Sequence, residues 1–344
     1  MSMRYKILGR SGLRVSELAL GTMTFGDEWG WGAAADECRA MFDAYVEAGG
    51  NFIDTANKYT GGQAEKIVGD LIAKDRDAFV LSTKYTLATR NGDPNAAGNH
   101  RKNMRRAIEA SLKRLRTDHI DLYYLHAWDF TTPADEIMRG LDDLVRSGKV
   151  LHVGISDAPA WVVAQCNTLA ELRGWSRFVG IQMEYSLIER SLERDLLPMA
   201  ESFDLGVLAW APIGGGLLTG KYTRVSEDER DSMRAGVNTD RVNERNLAIA
   251  RDVDAVAHEM GVEPVQVAIA WVRQQNKRLI PILGARKRSQ LEGALASLRV
   301  TLHKAHLARL DEVSRIDLGF PHEFLRKSYI QDVVLGDQRS KIMR

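Results

Sequence analysis

The chain has 344 residues but only two cysteines, Cys38 and Cys166. They fall in separate predicted helices without CxxC spacing, which excludes a disulfide framework and makes a reducing cytoplasm the expected compartment. An excess of either charge is also missing. Lys and Arg number 47 against 46 Asp and Glu, a formal charge of +1. That balance argues against nucleic acid or an anionic membrane as partner. Long hydrophobic runs are absent too. The opening MSMRYKILGRSG lacks an apolar signal segment, and no window approaches the ~20 apolar residues of a membrane span. No low-complexity linker interrupts the chain, so 1–344 reads as one domain.

Hydrophobic residues make up 44% and charged residues 27%, ample for a globular core. Apolar, β-rich runs recur along the chain: LALGTM (18–23), FIDTA (52–56), FVLSTK (79–84) and IDLYYLH (120–126). Four more follow: VLHVGISD (150–157), VGIQMEYS (179–186), GVLAWAPI (206–213) and RLIPILGA (278–285). Continuous runs of this length suit strands buried on both faces of a parallel sheet. Helical patterns fill the intervals: Met104, Ile108, Leu112 and Leu115 share one stripe, and TPADEIMRGLDDLVRSG opens with a cap and proline and closes at Gly148.

Eight such alternations predict an α/β fold, a (β/α)₈ TIM barrel. An open doubly wound sheet fits the same pattern, which does not show closure. Ahead of the first strand, YKILGRSGLRVSEL predicts a hairpin covering the barrel bottom. A long charged insert, 221–245, separates strands seven and eight and reads as a lid or mobile loop. The tail after Pro321 is a second candidate flap.

In such barrels active sites form at the C-terminal strand ends. There the sequence gathers Asp54, Lys84 and His126 from three consecutive strands, with Tyr59 in the loop after Asp54. A tyrosine can protonate a developing alkoxide. A neighbouring Lys⁺ is expected to lower the phenol pKa, and Asp⁻ to keep the ammonium charged and oriented. A histidine positions a carbonyl oxygen or relays the proton. Singly, each group has a structural reading: an Asp–Lys ion pair, a packing tyrosine, a core histidine. His152, mid-strand, is assigned to structure. Four such groups on one rim point to carbonyl reduction, given a hydride donor.

Three local motifs are not what they first resemble. GWGAAA (30–35) matches GxGxxA, but TFGDEW separates it from the preceding strand, so it is no dinucleotide fingerprint. GGLLTGKY (215–222) is a near-miss for a P-loop, because Tyr222 cannot supply the small Mg²⁺-binding hydroxyl. Its glycines and Lys221 can still hold phosphates. His303 and His306 in HKAH lie on an amphipathic helix without a third ligand, so no metal is expected.

Taken in order, LGRSGLRVSELALGTMTFG, NFIDTANKY, STK, SLKRLRTDHIDLYYLH, VGISD, IQMEYSL, AWAPIGGGLLTGKY and GARKRSQLEGAL resemble the aldo-keto reductase superfamily, over 8–295. The long form, with tryptophan before APIGGGLL, resembles bacterial enzymes and potassium-channel β-subunits more than the short mammalian reductases. The resemblance implies a (β/α)₈ barrel that binds NADP(H) across its C-terminal face and reduces a small-molecule carbonyl. It maps a catalytic tetrad onto Asp54, Tyr59, Lys84 and His126, with Tyr59 as general acid.

It further implies that Ser156, Asp157 and Gln182 meet the nicotinamide carboxamide while Trp210 stacks on the ring. Thr22, Met23 and Pro212 join the cofactor rim, Gly216, Leu217 and Lys221 follow the pyrophosphate, and Gly284, Arg286 and Gln290 take the adenosine phosphate. Arg286, with Lys287 or Arg288, favours NADPH over NADH. Two departures stand out: Asp157 replaces the usual Asn, and Gly293-Ala294 replaces an acidic–Asn pair. Phe25, Trp29, Trp31, Tyr85 and Trp128 are candidates for an aromatic substrate pocket. The alternatives are an NADP(H)-binding redox sensor for a partner protein and, more distantly, a Schiff-base barrel using Lys84.

Overall fold

The computed structural model describes residues 3–224 and 239–342, so 225–238 of the charged insert lie outside the described residues. A two-stranded antiparallel hairpin, β1 (Tyr5–Ile7) and β2 (Arg14–Ser16), precedes the barrel. Eight parallel strands then close on themselves: β3 (Ala19–Gly21), β4 (Phe52–Asp54), β5 (Val80–Tyr85), β6 (Ile120–Leu125), β7 (Val150–Ser156), β8 (Phe178–Glu184), β9 (Gly206–Trp210) and β10 (Leu279–Leu283). Pairing of β10 with β3 seals the ring and removes the open-sheet alternative.

Helices follow the strands: α1 (Ala35–Glu47), α2 (Gln63–Ile72), α3 (Arg101–Leu115), α4 (Ala134–Arg146), α5 (Ala160–Arg173) and α6 (Leu196–Ser202). After the insert come α7 (Glu244–Met260), α8 (Pro264–Gln275), α9 (Arg288–Leu295) and α10 (Lys304–Val313), then α11 (His322–Arg326) and α12 (Ser328–Leu335) in the tail. No helix among the described residues is long and apolar enough to cross a membrane.

The core has two layers because side chains alternate across each strand. Ile53, Leu81, Tyr85, Tyr123, Leu125 and Ile155 face outward into the layer beneath the helices. Phe52, Val80, Leu122, Tyr124, Leu208 and Ile280 face inward and fill the barrel. Glycines make room for the large inward groups: a Cβ on Gly154 would stand 2.4 Å from the Tyr124 ring, and one on Gly206 2.4 Å from Leu8.

The hairpin is the floor. Leu8, fully buried, joins the inward cluster, and Gly9 packs its backbone against Val179 and Gly206. A Cβ on Gly9 would lie 2.1 Å from the Val179 carbonyl oxygen, and its φ is +50°, so only glycine fits. With the bottom plugged, the C-terminal ends of the strands are the open mouth.

Candidate active site

Strand alternation carries Asp54, Ser82 and Lys84 inward at the mouth. Hydrogen bonds then hold the loop after β4 over them. Thr55 and Asn57 donate backbone N–H groups to the Ser82 and Lys84 carbonyls, 2.9 and 3.1 Å, extending the ladder past the strand end. Thr60, Gly61 and Gly62 all take positive φ, which turns the chain sharply into α2. The Thr60 hydroxyl donates to Phe25 O at 2.7 Å and accepts from Ala64 N at 2.9 Å, pinning that turn. Tyr59 is thereby swung back over β5.

At the centre, the Lys84 ammonium is fully buried and its three donors are all engaged. It donates to Asp54 Oδ2 at 2.6 Å, to the Thr55 carbonyl at 2.8 Å and to Tyr59 Oη at 3.1 Å. Asp54 is held in turn: its Oδ1 accepts from Ser82 Oγ and from Gln182 Nε2, both at 2.9 Å. Burial by itself would push the ammonium down, but Asp54 and Tyr59 outweigh it and Lys84 stands above its ordinary value.

Tyr59 departs from expectation. Burial pushes the phenol up more than Lys84 pulls it down, and Asp54 adds to the rise, so its pKa lies above the ordinary value rather than below. The phenol is therefore protonated at neutral pH. Because Lys84 has no acceptor to offer, the phenol hydrogen is free to point elsewhere.

The His126 ring stands edge-on to Tyr59, centroids 5.8 Å apart. Its Nδ1 is buried without a partner. Burial, reinforced by the Lys84 charge, holds the imidazole at about 3, so it is neutral at physiological pH.

Past β7, Asp157 adopts a left-handed φ of +43° and accepts from the Trp210 indole N–H at 3.1 Å. Its backbone N–H meets the Gln182 carbonyl at 3.2 Å. Ser156 is buried beside it. Thus Asp54, Tyr59, Lys84, His126, Ser156, Asp157, Gln182 and Trp210 converge at one mouth.

Other expected site residues sit differently. Thr22 is buried and bonds its hydroxyl to the Asp54 carbonyl at 3.0 Å, while Met23 is exposed. Pro212 and Leu217 bury their side chains, leaving only backbone for a ligand. Tyr85 is removed from the substrate set. Lys84 faces inward, so its neighbour must face outward, where Tyr85 stacks on Tyr123 and donates to Asn99 O at 3.1 Å. Phe25 is 1% exposed in the same outer layer. Trp29 and Trp31 pair at 5.5 Å, with Trp29 exposed.

Trp128 meets Phe130 and Trp161 edge-on; these two rings are exposed, and no sequence motif marks them. Residue type alone does not mark Ser82 either. Its signal was present, since it lies two residues before Lys84 and must share its face.

The turn after β9 carries Gly214, Gly215 and Gly216 with φ of +60°, +65° and +96°. A Cβ on Gly216 would reach within 3.4 Å of Lys221 Nζ, so the bare backbone and the ammonium form a cradle of the size and charge for phosphate. After β10, Gly284, Arg286 and Gln290 are exposed, and Arg286 N donates to Gln290 Oε1 at 2.9 Å. Arg288 is committed to Glu292 and Glu47. Among the described residues, Arg286 and Lys287 form no ion pair. These residues fit a phosphorylated dinucleotide. His306 pairs with Glu259 at 3.4 Å, as a helix-surface contact.

A closed parallel barrel with a buried acid–ammonium–phenol relay at its mouth defines a class of barrel oxidoreductases. The chain belongs to the aldo/keto reductase family, whose model matches residues 17–315. It is 38% identical to a norsolorinic acid reductase of Aspergillus flavus, over 93% of this chain and 84% of that protein. It is 40% identical to the norsolorinic acid reductase stcV of Emericella nidulans, over 92% and 83%. An aryl-alcohol dehydrogenase of Pestalotiopsis microspora shares 36% identity, over 94% and 85%.

Proposed function

We propose that this oxidoreductase reduces aldehydes or ketones to alcohols with NADPH, acting as one unit over 1–344. The observation that carries this is the saturation of Lys84. With one ammonium N–H donated to the Tyr59 oxygen and none able to accept, the phenol proton has only an outward target. A substrate carbonyl oxygen at that position receives it.

NADPH, when bound, supplies a hydride from nicotinamide C4. Tyr59 protonates the oxygen as the carbonyl carbon is reduced, and Lys84 stabilises the phenolate left behind. Asp54, held by Ser82 and Gln182, keeps Lys84 charged and aimed. Neutral His126 orients the carbonyl oxygen. Ser156 and Gln182 meet the carboxamide, Trp210 the ring, Met23 the edge of the rim, and Gly216 with Lys221 the pyrophosphate. Arg286, without an ion pair among the described residues, pairs with the 2′-phosphate and sets NADPH above NADH. Half-buried Trp128 with exposed Phe130 and Trp161 suits flat aromatic carbonyl substrates, consistent with the name of the aryl-alcohol relative. A Schiff-base role for Lys84 is disfavoured, because a buried ammonium with all donors engaged is no nucleophile.

The test is NADPH consumption with a panel of aromatic and aliphatic aldehydes, with Tyr59→Phe and NADH alongside. We expect turnover in the wild type, a loss of at least about a hundredfold in Tyr59→Phe with NADPH binding retained, and weak use of NADH. Tight NADPH binding without turnover on any aldehyde would overturn the reductase reading in favour of a nucleotide-sensing subunit.

A further inference from the structure

The carboxylates around Tyr59 pair off, with one exception among the described residues. Asp54 is matched by Lys84, and Glu184 by Arg241. Asp157 is left with a neutral donor, the Trp210 indole on β9. Facing it from the other elements are Lys84 on β5, already neutralised by Asp54, Tyr59 on the loop after β4, and Gln182 and Glu184 on β8. Among the described residues, Asp157 forms no ion pair. The Asp157 carboxylate therefore carries a negative charge with no salt-bridge partner among the described residues. The Asp157 backbone N–H bonds the Gln182 carbonyl, and the Gln182 side chain bonds Asp54, which holds Lys84 against Tyr59, so Asp157 stands in the same network as the proton transfer of the proposed reaction.

Hydride transfer has its own charge requirement. A hydride carries a proton and two electrons, so a neutral dihydronicotinamide becomes a cation as the carbonyl is reduced. A bound nicotinamide would have to place its reacting carbon beside the carbonyl carbon whose oxygen faces Tyr59, at the mouth that also holds Asp157 and Trp210.

Resting on the functional reading above, we propose that Asp157 is a redox-tuning residue that stabilises the positive charge the nicotinamide ring acquires on giving up its hydride. The carboxylate makes the bound reduced cofactor a stronger hydride donor and tightens the hold on the oxidised form. Asparagine at this position would keep the left-handed backbone and the indole bond but not the charge. Burial raises the Asp157 carboxyl above its ordinary range, with Trp210, Lys84 and Ser156 opposing the rise. The preference thus develops as pH increases through that raised value.

Equilibrium fluorescence titration of NADP⁺ and NADPH, separately, into wild type, Asp157→Asn and Trp210→Phe tests this across the acidic to neutral range. In the wild type the ratio of NADP⁺ to NADPH dissociation constants should fall as pH rises. In Asp157→Asn it should be higher by on the order of tenfold and flat with pH. Trp210→Phe, which removes a donor to the charged form, should shift the onset to higher pH. A pH-independent ratio in the wild type, or equal ratios in wild type and Asp157→Asn with both nucleotides bound, overturns the proposal and leaves the functional reading intact. If the wild type bound neither nucleotide, both would fall.

Discussion

At the scale of single residues, the buried Lys84–Asp54 pair is where stability and chemistry meet. Its two side chains are 0% and 3% exposed. Removing one partner of such a pair leaves the other charge buried and uncompensated. Lys84→Met is expected to lose about 3–5 kcal/mol of stability by denaturant unfolding, along with turnover. A variant that melted like wild type would mean the carboxylate is relieved by water or protonation.

His126 makes a second prediction. Its folded pKa of about 3 lies below the ordinary 6.5, so between these values the unfolded chain binds more protons than the native one. Its burial is neutral to stability above about 6.5 and costs progressively more as pH falls. The slope is at most about 1.4 kcal/mol per pH unit. In His126→Asn that component of acid destabilisation should vanish from unfolding curves recorded along the pH series. The inward-facing members of the site could be read from strand alternation. Tyr85 and Phe25 could not be placed from residue type, because an aromatic side chain suits a pocket and a helix-packed layer equally well.

At the scale of elements, the hairpin and the mouth occupy opposite ends of the barrel, and their roles separate. Leu8→Ala should cost about 2–5 kcal/mol, since the cavity opens among Phe52, Leu122, Tyr124 and Leu208. Activity per folded molecule should hold, because the floor touches none of the mouth residues. Calorimetry and turnover on one preparation check both; a variant losing activity without stability would break the separation. All eight strands were legible as apolar runs, with ends shifted by one to three residues where the chain bends into its loops. The cross-barrel bond from Gln182 to Asp54 spans 128 positions, and no local pattern encodes it.

At the scale of the molecule, the tail stands apart from the barrel. α11 and α12 contain no buried residue, and Tyr329, Val333 and Val334 are 58%, 79% and 69% exposed. Few contacts tie the tail down, among them His322 at 3.2 Å from Asp195. Ending the chain at Pro321 is therefore expected to move the melting temperature by about 2 °C or less. A larger drop in thermal melts would show that the tail's apolar face is covered in solution.

By itself the sequence determined the eight-fold alternation, the inward period of each strand and the rim positions of Asp54, Lys84 and His126, because these follow from local periodicity. Only the tertiary structure decided barrel closure, the direction of the Tyr59 pKa and the uncompensated charge of Asp157. Each depends on which distant strands become neighbours and on how much water their packing excludes.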